Sequence, residues 1–596
     1  MCLGPKKYSR GIIMIQSKST QQLTREELKH VLSVARGDGE IDILIKNVKI
    51  MDLVNGEINE SAIAIAGKTI AGTGLEYLDQ KAKRVIDANG DVAVPGFIDG
   101  HLHIESSMMH PFEFERLTLP LGTTTAICDP HEITNVIGDK GFSWFLRCSE
   151  LMKQNLFVQV SSCVPALPGF ETNGGPFPLE KMKAYKNHPN VLGLAEMMNF
   201  PGVINAFDDV LDKVEEFQEM NLDGHCPLVR GKDLNAYIAA GIQNCHETIT
   251  REEGKEKLSK GMALIIREGS VAKNLKTLAP LVTDFNSCQC LLCTDDRNPY
   301  EIFNEGHINY LVKKMINEIG IEPHVAYRLS SYSAAKHFGL KRLGLIAPGK
   351  QADIVLLSDY KNVEISDVLM KGLPVKEHKV EQSLSKNLEE SKPPIENTMK
   401  RSPLGDKEIE FNFEQGTYNV IEIVKDEIIT NHLKVNYDGE KFELDDIKKI
   451  CVIERYGQNI KPALGLVKGA GLSTGAIASS VAHDSHNIIV IGEDESDMTV
   501  AANKLIEMGG GFCVVKDGKV IASLALPIAG LLSLESAEVL TEGIIELKKA
   551  CKEVNVHLNE PFIQMAFLAL PVIPSLKITD KGLVDVTKFE FIDLKD

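Results

Sequence analysis

Between residues 91 and about 344 the chain alternates short apolar runs with helix-patterned intervals, and this alternation constrains the fold more than any other feature. The runs fall at 92–98, 124–128, 156–161, 191–195, 222–225, 242–245, 262–266 and 290–293. Unbroken apolar runs are what strands buried on both faces require, and helix-sized spacers allow those strands to pair in parallel. Eight such runs argue for a closed (β/α)8 TIM-like barrel over an open sheet.

The residues that follow the runs carry the chemistry. His101 and His103 sit two apart in the stretch 95–107, so on a strand both imidazoles point to one side, within reach of one cation. Asp129 and His131 follow the second run, Glu196 the fourth, His225 the fifth, His246 the sixth, Arg267 and Glu268 the seventh, and Asp295, Asp296 and Arg297 the eighth. Barrel enzymes keep their active sites at the C-terminal ends of the strands. One ionisable residue there is unremarkable, whereas convergence from so many strands marks a site.

The barrel is expected to be inserted in a second unit. Residues 41–90 read as short β-branched runs with hairpin signals at Asn55-Gly56 and Gly67-Lys68, and a similar pattern resumes over 345–375. The ends of an inserted domain commonly lie close together, so these two segments are expected to form one composite β-sandwich domain around the 91–344 barrel. Residues 1–40 read as an N-terminal helical extension. Its capping box, Thr24 to Glu27, starts a helix whose apolar face is Leu28, Val31, Leu32 and Ala35, with Leu23 stapled to Leu28. Residues 376–410, rich in Lys, Glu and Ser with few large apolar residues, read as an exposed linker. A C-terminal α/β (α+β) domain follows over 411–596. There, Gly509-Gly510-Gly511 reads as a helix stop, because no Lys-Ser/Thr follows to make a phosphate loop. His483-Asp484-Ser485-His486 reads as a turn between strands, with an auxiliary metal site or an interface near the barrel mouth as the alternatives.

Composition narrows the partners. The formal net charge of −18 argues against a phosphate-backbone surface, and therefore against nucleic acid, and favours a small-molecule substrate. Lys6, Lys7 and Arg10 precede an apolar run, 12–15, too short for a signal-peptide core, and no stretch approaches the length of a membrane span, so a cytoplasmic protein without a membrane partner is expected. The twelve cysteines form no disulfide framework. Cys290 and Cys293 lack a second pair at zinc-site spacing and read as core residues of a strand. A homo-oligomer, with a dimer favoured, is the expected assembly.

These histidines and carboxylates are nitrogen and oxygen donors suited to Zn²⁺, Fe²⁺ or Mn²⁺. They are more than one catalytic zinc takes, so a pair of divalent ions bridged by a carboxylate is the reading that uses them best. Such a pair supplies hydroxide at neutral pH, and hydrolysis is the expected reaction class.

The barrel resembles the amidohydrolase superfamily, and six of its runs resemble those of the bacterial adenine deaminases: HLHIESSMM (101–109), DPHEI (129–133), AEMMNFPGV (195–203), DGHCP (223–227), CHET (245–248) and CTDDR (293–297). The run SVAHDSHNIIVIG (480–492) is similar to that family's C-terminal domain, so the resemblance covers nearly the whole chain beyond residue 40. It implies hydrolysis of adenine to hypoxanthine and ammonia at a binuclear centre that usually holds manganese or iron. By motif position it implies His101 and His103 as ligands of one metal, His225 and His246 of the other, Glu196 as the bridge, and Asp295 as the ligand that also moves protons. Asp295 and Glu196 are thus the candidate catalytic residues, and Glu105, Asp129, His131, Asn199, Arg267 and Asp296 the candidate purine contacts. A cyclic-amide hydrolase of the dihydropyrimidinase type is the alternative, but 191–200 holds no lysine to carboxylate and offers Glu196 there instead. The small zinc deaminases need P-C-x-x-C, which this chain lacks. A non-enzymatic scaffold would be expected to have lost ligands, and none is lost.

Overall fold

The computed structural model describes residues 22–405 and 407–596. The basic and apolar residues considered above within the first 21 positions lie outside the described residues.

Eight parallel strands build the barrel. They are β1 Phe97–Leu102, β2 Thr123–Cys128, β3 Asn155–Val160, β4 Val191–Met197, β5 Asn221–Gly224, β6 Asn244–Cys245, β7 Ala263–Arg267 and β8 Cys290–Cys293. Hydrogen-bonded ladders run from β1 to β5 and from β6 to β8. Two seams close the circle. The Gln243 amide donates to the Leu222 carbonyl at 3.0 Å between β5 and β6, and the Asp295 amide donates to the His101 carbonyl at 3.1 Å between β8 and β1. Gly100 lets the second seam form, since a Cβ there would stand 3.1 Å from the Leu292 carbonyl oxygen. Cys290 and Cys293 are buried free thiols on β8, as their apolar neighbours led us to expect.

The run 92–98 is two strands, not one. Val92–Pro95 belongs to the small β-domain, where it pairs with Ile354–Asp359 and with Ile41–Asp52, and only Phe97 onward enters the barrel. Gly96, whose amide donates to the Asp353 carbonyl at 2.9 Å, is the crossing point. The small domain is one eight-stranded sheet joining segments from both sides of the barrel sequence.

Two further expectations need correction. Helix α1, Arg25–Ala35, has the capping box, but it buries Val31 and Val34 while Leu28 and Leu32 are about half exposed. It docks on the small sheet through a stripe rotated from the one its leucines suggest. The segment 376–410 is not an exposed linker throughout. Val380–Ser391 is a helix in which Val380, Leu384 and Leu388 recur every fourth residue and pack on the barrel's flank, with Trp144 Nε1 donating to Ser391 Oγ at 3.0 Å. Met399, Leu404 and Ile409 beyond it enter the core of the C-terminal domain.

That domain holds a second eight-stranded sheet, flanked by helices Glu495–Met508 and Ala537–Glu553, and a three-stranded sheet formed by Leu576–Thr579, Gly582–Asp585 and Glu590–Ile592. Gly509, at φ +80°, ends the first helix, which is the role its sequence suggests. One continuous apolar cluster runs from the barrel into this domain. Polar contacts reinforce the junction, with the Ser533 amide on the Met108 carbonyl at 2.8 Å and the Thr172 amide on Asp580 Oδ1 at 2.9 Å. Among the described residues no helix is long and apolar enough to cross a membrane.

Candidate metal centre

At the C-terminal mouth of the barrel the carboxylate of Glu196, at the end of β4, lies between two sets of histidines. Its Oε1 is 3.2 Å from His103 Nε2 and 3.7 Å from His101 Nε2, while its Oε2 is 2.5 Å from His225 Nδ1 and 3.2 Å from His246 Nε2. Asp295 Oδ1 closes the first set from β8, 3.3 Å from His103 Nε2 and 3.6 Å from His101 Nε2. All six side chains are buried. Strand periodicity explains the first pair, since His101 and His103 alternate to the same side at the end of β1.

The donor chemistry fits cations. His103 Nδ1 lies 2.9 Å from the Asp129 carbonyl oxygen, which only accepts, so that nitrogen holds the proton and the neutral ring turns a bare lone pair inward. It there faces the oxygens of Glu196 and Asp295. Lone pairs held this close repel unless a positive charge lies among them. Burial disfavours charge on His103, but Asp295 and Glu196 outweigh it and hold the imidazole well above its ordinary pKa. Glu196 in turn is held well below the carboxylate range, since His246 and His225 overcome its burial. Groups that could hold an ion form on both sides of the bridge, with His101, His246 and Asp295 in one and Glu196, His225 and His246 in another. A binuclear cluster of metal ligands is therefore present.

Around this core the other candidate residues divide. His131 and Asp296 line the central cavity. His131 Nδ1 is 3.0 Å from Asp129 Oδ2, and Ser106 Oγ donates to Asp296 Oδ1. Asp129, which also accepts from Ser161 Oγ at 2.7 Å, orients His131 from behind. Arg267, Asn199 and Glu105 do not line the cavity. Arg267, expected among the purine contacts, instead forms a buried ion pair, with Nη1 2.7 Å from Asp295 Oδ2 and Nη2 2.8 Å from Glu247 Oε2. This guanidinium, opposing the effect of burial, holds Asp295 well below the carboxylate range. Asn199 caps the helix Phe200–Ile204, its Oδ1 accepting from the Gly202 amide at 2.9 Å. Glu105 accepts from the Ile133 amide at 3.3 Å, and burial pushes its pKa to about 7.

The cavity has walls that sequence reasoning did not assign. Glu132 and Glu247 line it, each beside a histidine of a recognised run, and adjacency was the available signal. Met198, inside the run 195–203, also lines it, as do Phe567 and Leu570, which nothing in the sequence distinguishes from ordinary core residues. His483 and Asp484 reach it from the C-terminal domain, so the run 483–486 is not merely a turn between strands but part of the buried mouth. Asp484 Oδ1 stands 3.5 Å from His131 Nε2.

An α/β barrel whose strand ends hold a carboxylate between two histidine pairs defines a metal-dependent hydrolase of the amidohydrolase type, and residues 92–375 match the Amidohydrolase family. Residues 427–590 match the family described as adenine deaminase C-terminal domain. The chain is 64% identical to an adenine deaminase of Bdellovibrio bacteriovorus, over 98% of this chain and 99% of that one. It is 55% identical to one from Shewanella halifaxensis, over 98% and 99% of the two chains. With one from Escherichia coli the identity is 53%, over 96% and 98%. The chain belongs to the adenine deaminase family of the amidohydrolase superfamily.

Proposed function

We propose that the protein hydrolyses adenine to hypoxanthine and ammonia with two divalent cations, Mn²⁺ or Fe²⁺, shared across Glu196. The observation that carries this reading is the division of the Glu196 carboxylate, one oxygen toward His101 and His103 and the other toward His225 and His246. The family membership supports adenine as the substrate. Hard and borderline donors without thiolate favour these cations, with Zn²⁺ also compatible. When bound, such a pair supplies hydroxide at neutral pH.

The protein's own groups then handle the protons. Attack at C6 of adenine requires the nucleophile's proton to be taken up and the departing amine to be protonated, and one carboxylate can do both in sequence. Asp295 suits this role: it is ionised, it faces His103 and His101 through Oδ1, and Arg267 fixes its other oxygen. Asp296 and His131 line the cavity, which supports them as the purine contacts. Glu105, Asp129 and Arg267 act through the residues they position, and Asn199 through its helix cap. Free buried thiols suit a cytoplasmic location.

Incubating the metal-replete protein with adenine, adenosine and cytosine while following ammonia tests the substrate. Release from adenine alone is expected, and adenosine turning over as fast would contradict the free-base assignment. Asp295→Asn should lose several orders of magnitude in turnover, about 10³-fold or more, with Asp296→Asn losing less, metal content being measured in both. Near wild-type turnover by a fully metallated Asp295→Asn would move the proton-transfer role to Asp296 or Glu196.

A further inference from the structure

The C-terminal domain reaches into the reaction cavity at one place. The His483 amide donates to the Ala566 carbonyl at 3.2 Å, tying the run 483–486 to the end of helix Pro561–Ala566 and thus to Phe567. The His483 ring stacks on Phe567, with centroids 4.6 Å apart and planes 25° apart. Across the domain boundary His483 Nδ1 is 3.3 Å from Glu132 Oε1, on the barrel helix His131–Ile137. His483 is 5% exposed and Glu132 fully buried, and both line the same cavity as Glu196, His246 and Asp295. Glu132 Oε2 has no hydrogen-bond partner among the described residues.

We propose that His483 is a substrate-contacting residue supplied by the C-terminal domain, which together with Glu132 reads the polar edge of the base. The inference rests on the adenine reading above. A purine edge alternates hydrogen-bond donors and acceptors. The pair suits such an edge: with Nδ1 at 3.3 Å from Glu132 Oε1 and carrying the ring hydrogen, His483 keeps Nε2 as an acceptor, and Glu132 Oε2, whose companion oxygen accepts from Ser106 Oγ at 3.4 Å, offers a second unused position. Phe567 holds the imidazole plane against rotation.

Glu132, His483 and His486 also sit close enough together to hold an ion, and that alternative is the weaker one. His486 Nδ1 accepts from the Ala482 amide at 3.2 Å, so in the neutral ring Nε2 carries the hydrogen. With Nδ1 engaged by that amide, His486 has no free lone pair to offer a cation.

The experiment compares the holoenzyme with His483→Ala, His483→Gln and Phe567→Leu, measuring adenine KM and kcat, the inhibition constant of hypoxanthine, and metal content. Loss of one hydrogen bond in a closed site should raise KM and the hypoxanthine constant together by about tenfold in His483→Ala, with a smaller change in kcat and full metal content. His483→Gln, which keeps an acceptor, should recover part of the loss, and Phe567→Leu should show a milder form of it. Unchanged KM in both His483 variants would overturn the inference, as would loss of a metal equivalent in His483→Ala, which would make the residue a ligand. Should His483→Ala fail to fold, the Gln and Leu variants decide. Wild-type protein that releases no ammonia from adenine would refute the underlying reading instead, so the two failures are distinct.

Discussion

Lys257 shows how single residues hold this centre together. Cys226 follows His225 and Cys245 precedes His246, and the Lys257 ammonium lies 2.9 Å from the Cys226 carbonyl oxygen and 3.3 Å from Cys245 Sγ. Its charge is matched by Glu253 Oε1 at 2.6 Å, both side chains being fully buried. One helix thereby clamps the two loops that carry these histidines. Removing one partner from a buried pair leaves an uncompensated charge, so Lys257→Met should cost about 3–5 kcal/mol of stability, read from urea midpoints at unchanged slope. Adding Glu253→Gln should restore part of it. A loss below about 1 kcal/mol in the single variant would show that Glu253 does not depend on this partner. None of this is legible in the sequence, where a lysine in an exposed-looking amphipathic helix carries no sign of burial. The histidines that face Glu196 were legible because each lies at a strand end in a short, recognisable run.

At the level of elements, most barrel strands were readable because burial on both faces leaves a largely apolar signature, whereas Asn221–Gly224 and Asn244–Cys245 carry little of it. The boundary at Gly96 was not, since the residues on either side are equally apolar and only hydrogen-bond partners distinguish the two sheets. The helix Val380–Ser391 was missed for the opposite reason: three apolar residues four apart suffice for docking, yet too few to raise the average hydropathy of a charged segment. Strand ends also cooperate across the barrel in ways that spacing does not reveal. Arg267 at the end of β7 braces Asp295 beyond β8, and Glu247 beyond β6 braces Arg267. Because Arg267 does not line the cavity, Arg267→Met should lower kcat by about 10–100-fold while KM changes only a few-fold. A rise in KM with kcat intact would instead make Arg267 a purine contact.

On the scale of the whole molecule, the C-terminal domain is wedded to the barrel by buried acid groups as well as apolar surface. Glu171 accepts from the Leu167 amide at 3.0 Å and from Ser485 Oγ at 2.5 Å, and burial, with Asp484 nearby, raises its pKa from 4.5 to about 8. Between those two values the folded protein keeps a proton that the unfolded chain has released, so the Glu171 contribution falls as pH rises through this window and levels off above about 8. Glu171→Gln should therefore gain stability relative to wild type from pH 5 to 8 in urea titrations, and parallel pH profiles would contradict this. The same junction brings His483 and Phe567 to the cavity that Glu196, His246 and Asp295 line, so a run that reads from sequence as a turn between strands forms part of its wall. The proposed hydrolysis requires Glu196 to hold two cations at once. Metal-free protein reconstituted with increasing Mn²⁺ should gain adenine-dependent ammonia release up to two equivalents per chain, and Glu196→Gln should weaken occupancy and activity together. Full activity at one equivalent, with no loss in Glu196→Gln, would contradict it.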